Sequence, residues 1–172
     1  MIKYIVPQHA RLLFVGINPH PGSYLRGVPF SNNKTFWYNL AEAGLIDKDR
    51  TYLKDDRMLK QFYLNEFSKK YGYGFTNLVD RPTVNTSSLK KKEEEFGVKR
   101  LNRIIRTKNP GLVCFIGKIT YNRYTGSSNF KLGFQKELIY NSKVFVLSFP
   151  IRGPKSIRIS ELLELKRYLD SL

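Results

Sequence analysis

Arg11-Leu12-Leu13-Phe14-Val15-Gly16-Ile17-Asn18-Pro19, residues 11–19, is the stretch from which the fold is read. Arg11 to Ile17 is an apolar run too short for a helix, and Asn18-Pro19 stops it, so it reads as a buried strand closed by a proline-bearing loop. The loop is expected to run to Lys34. Thr35 then caps a helix carrying Phe36, Leu40 and Ala43 at helical spacing, with Gly44 as its terminator. Strand, loop and helix recur downstream. Lys54 to Tyr71 has the helical pattern, Phe75 to Val79 reads as a second strand, and a helix capped by Ser87 or Ser88 ends at Asn109-Pro110-Gly111. Leu112 to Ile116 and Lys143 to Leu147 are further strands, and Ser160 caps a last helix through Leu162, Leu163, Leu165 and Leu169. Strands alternating with helices imply an α/β protein whose parallel sheet is covered on both faces. Sites in such sheets form at the carboxyl ends of strands, here after Ile17, after Phe75 to Asn77 and after Leu147.

The 172 residues make one domain's worth of chain, and no internal repeat or linker divides it. With 41% apolar, 14% aromatic and 26% charged residues, the composition excludes a disordered chain, and no run is long enough to span a bilayer. Thirty Lys and Arg against fourteen Asp and Glu leave a net charge of +16, which makes a polyanion such as nucleic acid the natural partner. Residues 101–172 alone carry +9, and Glu137 is the only acid from Phe96 to Ser160. These bases form a phosphate-tracking surface if they face one way, and a solvated face if they do not. In the block Lys90-Lys91-Lys92-Glu93-Glu94-Glu95, lysines and glutamates three and four apart are expected to pair with each other.

Several motifs fail. Gly111 to Lys118 (GLVCFIGK) resembles a phosphate-binding loop, but five residues separate its glycines, Ile119 replaces Ser or Thr, and a strand fills the interval. His9 and His20 have no Cys, Asp or Glu at ligand spacing, and one cysteine, Cys114, builds neither disulfide nor cluster. Cys114 sits mid-strand, where an inert buried thiol is expected. The start, MIKYIVPQHA, lacks a cleavable apolar segment, so a cytoplasmic, metal-free protein is expected and the Asn33 and Asn85 sequons are not read as glycosylated.

One set of motifs succeeds together. Gly16-Ile17-Asn18-Pro19 ends the first strand; Val28-Pro29-Phe30 follows in the loop and Phe36-Trp37 on the first helix. Gly74-Phe75-Thr76-Asn77-Leu78-Val79-Asp80-Arg81-Pro82-Thr83, then Gly117-Lys118 with Tyr121, then Val146-Leu147 continue in the same order. On these residues the chain resembles the mismatch-specific uracil-DNA and thymine-DNA glycosylases of the uracil-DNA glycosylase superfamily, over about residues 12–172. The resemblance implies one domain, 1–172, with a three-layer α/β/α fold and a central four-stranded parallel sheet. It also implies duplex DNA with a mismatched or deaminated base as substrate, no cofactor, and no metal. A monomer is expected.

By the same resemblance Asn18 is the catalytic asparagine and Gly16, Ile17, Phe30 and Asn77 surround the base; Lys118, and from the make-up of the last loop Ile151, Arg152 and Lys155, are expected to contact DNA. The chemistry is sensible: a base flipped out of a duplex needs an aromatic face, an amide that reads its edge and a group that holds water near C1′. Each position also has a plainer reading. Asn18 before a proline makes a turn, Phe30 belongs to the core, Asn77 is a structural amide, and Gly16 serves a tight strand end. Ile151 beside Arg152 suits a wedge into the base stack, or packs under its loop with Arg152 solvated.

The chain departs from the family pattern where His20-Pro21 follows Asn-Pro in place of Gly, in a loop one residue shorter before Phe36, and at Phe149-Pro150-Ile151-Arg152-Gly153-Pro154, which lacks the usual histidine. The preferred base is left open among uracil, thymine, hypoxanthine and xanthine. Two other functions stay open: a single-strand-selective uracil glycosylase, and a non-catalytic nucleic-acid or damage-binding protein of the same fold.

Overall fold

The computed structural model describes residues 1–172. Four strands, β1 (Leu12–Gly16), β2 (Tyr73–Asn77), β3 (Leu112–Ile116) and β5 (Lys143–Leu147), run parallel, and a short β4 (Gly133–Phe134) pairs antiparallel with β5. The order is β2-β1-β3-β5-β4. The expected four-stranded parallel sheet is therefore present, with a two-residue edge strand added to it. The antiparallel edge is reached by a hairpin-like return from residues 133–134, so it needs no helical crossover.

Side chains alternate along each strand, and both faces are covered. Leu12, Phe14, Cys114 and Phe145 pack on one face with α2 (Thr35–Glu42), α3 (Arg50–Lys54), α4 (Asp56–Asn65) and α7 (Lys155–Asp170). Leu13, Val15, Val113 and Val146 pack on the other with α5 (Lys91–Lys108) and α6 (Lys118–Thr125). This makes three layers. Every residue of β1 and β3 is buried, which explains why both read as continuous apolar runs. No helix is long and apolar enough to cross a membrane.

Differences from the sequence reading have local causes. The expected 18–34 loop contains a short helix, α1 (Pro21–Arg26), because Pro21 suits a first helical turn and His20 Nδ1 accepts the Gly22 N–H at 3.0 Å. The helix read from Lys54 to Tyr71 is shorter, α4 alone with turns over residues 66–71, and it starts late because Asp55 ends the preceding α3 and caps α4 by accepting the Met58 N–H. Strand β2 starts at Tyr73 and ends at Asn77 because Gly74 does not break it: residues 5 and 6 cross there, 3.3 Å from where a β-carbon would stand. Helix α5 begins at Lys91, with Thr86–Ser88 forming a separate 3-10 turn. Helix α7 begins at Lys155, after the extended Pro154, and Ser160 lies inside it. The Lys90–Glu95 block does not pair with itself; Glu93 binds Arg81 and Glu94 binds Arg123.

Candidate functional site

The loops leaving β1, β2 and β5 meet at the carboxyl edge of the sheet around a cavity of about 350 Å³. This is where a doubly wound sheet places a ligand. Of the residues expected at the site, Ile17, Asn18, Phe30, Asn77 and Ile151 line the cavity. Gly16 stands directly behind Asn77. A β-carbon on Gly16 would lie 2.2 Å from Asn77 Oδ1, so space for that amide, which is 4% exposed, is the reason for glycine here.

Asn18 follows the last residues of β1 and is half-buried. Its Nδ2 donates to the Arg81 carbonyl at 3.0 Å and to Thr83 Oγ1 at 2.7 Å. Both N–H groups are engaged, so Oδ1, which has no protein donor, is the atom left for the cavity. Asn77 Nδ2 donates to the Tyr4 hydroxyl at 2.8 Å. Burial pushes the Tyr4 phenol up to about 12, so it stays neutral beside the amide. Asn77 Oδ1 has no protein donor.

Phe30 forms the apolar wall. Its ring lies 4.9 Å from Phe36, 5.9 Å from Phe75 and 6.0 Å from Phe149. Its backbone is left-handed, φ 52°, a conformation that costs energy in a phenylalanine and persists only when neighbours impose it. The neighbours are on both sides. Buried Ser23 Oγ accepts the Ser31 and Asn32 N–H groups, Ser31 Oγ donates to the Val28 carbonyl, and Trp37 Nε1 donates to the Pro29 carbonyl at 2.7 Å. Thus Trp37, in the core as its helix predicts, also holds the loop that presents Phe30.

The cavity lining contains no Asp, Glu, Lys or Arg, and His20 is its only imidazole. His20 Nδ1 is occupied in capping α1. No three or more His, Cys, Asp and Glu side chains come together where they could hold a metal ion. Cys114 is fully buried, and burial pushes its thiol well up, which suits an inert core residue.

Lys118, Arg152 and Lys155 do not line the cavity. Lys118 opens α6, exposed, and has no carboxylate partner; Arg152 is likewise exposed and unpaired beside Ile151, which is 54% exposed. Lys155 is paired with Glu42 at 2.8 Å. Lys90, Lys91 and Lys92 stand without carboxylate partners at the start of α5 and do not line the cavity. Sequence reading missed three contributors. Thr83 and Phe149 lie inside motifs already quoted, whereas Tyr4 carries no local signal. A larger cleft of about 520 Å³ lies between α5, α6 and residues 127–140; it holds Tyr121 and Glu137 but none of the strand-end amides.

A neutral cavity with an aromatic wall, one amide held acceptor-outward and a second amide at its base suits a flat, uncharged heterocycle with hydrogen-bonding edges. Comparison with known families agrees: the model of the uracil DNA glycosylase superfamily matches residues 2–153.

Proposed function

The chain belongs to the uracil DNA glycosylase superfamily, a family whose activity is uracil-DNA glycosylase-type base excision from DNA, and on that premise we propose that it is a monomeric, monofunctional glycosylase acting on uracil or another deaminated or mismatched base in duplex DNA. The observation that carries the reading is Asn18, whose amide leaves only Oδ1 facing a cavity walled by Phe30. The base flips from the stack and slides against Phe30, with Asn77 reading its edge. Asn18 Oδ1 accepts a hydrogen bond from water, directing a lone pair of that water toward C1′. The cavity has no carboxylate to act as a general base. Catalysis therefore rests on geometry and on stabilising the departing base anion and the cationic sugar, and turnover is slow. The absence of lysine from the lining supports monofunctional hydrolysis, since strand cleavage through a Schiff base needs an amine at the sugar.

The test is alkali-dependent nicking of a duplex with uracil opposite guanine, repeated with thymine, hypoxanthine and xanthine and in single strands. Release of uracil from the duplex is expected. Tight binding with no nicking of any substrate would replace this reading with a damage-binding role.

A further inference from the structure

We propose that Thr83 is a positioning residue for Asn18, its hydroxyl fixing which end of the Asn18 amide meets the reacting water; this rests on the reading of Asn18 given above. An asparagine amide has two ends of similar shape and opposite polarity, and only the oxygen end accepts from water. Left free, it would present either end. Here the choice is made by two acceptors. Thr83 Oγ1 donates its own proton to the Asn85 carbonyl at 2.9 Å, so what it turns toward Asn18 Nδ2, 2.7 Å away, is a lone pair. The Arg81 carbonyl takes the second N–H. A flipped amide would set Oδ1 against two lone pairs, so the oxygen faces the cavity.

The segment carrying these acceptors is itself held at both ends. Arg81 grips Glu93 of α5 with Nε at 2.6 Å and Nη2 at 2.9 Å, and Nη2 also reaches the Ser88 carbonyl at 2.9 Å. The Thr83 N–H donates to the Pro19 carbonyl at 3.1 Å. Residues 81–83 thus form a clasp between α5 and the loop after β1, and Arg81 serves it twice, by side chain and by carbonyl. Displacements of an ångström in such a group cost on the order of a hundred-fold in rate.

The experiment is single-turnover uracil release from a guanine-opposed duplex by the full chain, with duplex affinity and melting temperature measured in parallel. Thr83→Val keeps the shape and removes the hydroxyl. The expected result is a fall of about ten-fold or more in rate at nearly unchanged affinity. Thr83→Ser restores the rate, and Thr83→Val adds no further loss to Asn18→Ala. Glu93→Gln, which loosens the clasp from the surface, lowers the rate in the same direction and serves if Thr83→Val folds poorly. A Thr83→Val rate close to wild type, an equal loss in the Asn18→Ala background, or a failure of Thr83→Ser to restore overturns the proposal while Asn18 keeps its role. Full activity of Asn18→Ala, or no uracil release by the wild type, overturns both.

Discussion

Asn77 Oδ1 fills the space that a β-carbon on Gly16 would need, and the parallel register sets these two residues side by side at the ends of β2 and β1. The amide cannot yield cheaply, because it is buried and its nitrogen is tied to Tyr4. Gly16→Ala should therefore displace Asn77 and reproduce the phenotype of Asn77→Ala, a changed ranking among uracil, thymine and hypoxanthine, as expected when an edge-reading amide is lost. Relative single-turnover rates on the three bases check it. One common factor for all bases in both variants would assign Asn77 a purely structural role.

Asn18→Ala should nearly abolish base release while leaving duplex binding within a few fold. A water-holding group acts in the transition state, and phosphate contacts supply most of the affinity. Single-turnover cleavage of a guanine-uracil duplex is the measurement. Retention of more than about a tenth of the wild-type rate, a barrier change under ~1.4 kcal/mol, would remove Asn18 from the centre of the mechanism.

Phe30→Ala should slow every base together, since a stacking face is indifferent to the hydrogen-bonding edge. Loss of an aromatic partner costs roughly 1–3 kcal/mol per base. The loop should keep its shape, because Ser23, Ser31 and Trp37 hold it through main-chain atoms. Equal fold losses on uracil and hypoxanthine are expected, and a loss confined to one base would move Phe30 from wall to reader.

Legibility followed the range of the forces. Strands β3 and β5 begin and end as read, because each is an apolar run bounded by polar or turn residues, a local property. The three strand-end loops were legible as a site because chain direction alone places them at one edge. What escaped depends on distant partners. Asp55 ends α3 by choosing to cap the next helix, Glu93 and Glu94 choose arginines over neighbouring lysines, and Tyr4 reaches Asn77 only because residues 5 and 6 cross Gly74. Lys155 pairs with Glu42 across the surface, a pairing no spacing announces.

The clasp has a pH signature. The Arg81 guanidinium, with the Lys90 N–H, lowers the Glu93 carboxyl from 4.5 to about 2. A depressed folded pKa contributes stability that is complete above the unfolded value and is lost as pH falls through the folded one. Glu93→Gln should therefore melt below wild type near neutrality, and the gap should close between about pH 4.5 and pH 2. Thermal melts of both proteins across that range are the check; a gap of constant size would show that the ion pair contributes nothing.

Ile151 and Arg152 are the remaining test of how DNA is opened. Both are exposed in a loop bounded by Pro150 and Gly153, and Ile151 also lines the cavity mouth, so an apolar side chain stands between solvent and the base-sized space. An apolar residue in that place can enter the gap a flipped nucleotide leaves, while the guanidinium meets the orphaned base or a phosphate. A wedge matters only where a stack must be opened. The double variant Ile151→Ala with Arg152→Ala should therefore cripple duplex substrates and largely spare single strands. Lys118→Ala is the comparison: exposed and unpaired, it should weaken both forms and flatten the salt dependence of binding by about one unit. Rates and affinities on matched single-stranded and duplex uracil substrates decide it. Equal losses on the two forms from the Ile151/Arg152 pair would end the wedge assignment and favour a glycosylase selective for single strands.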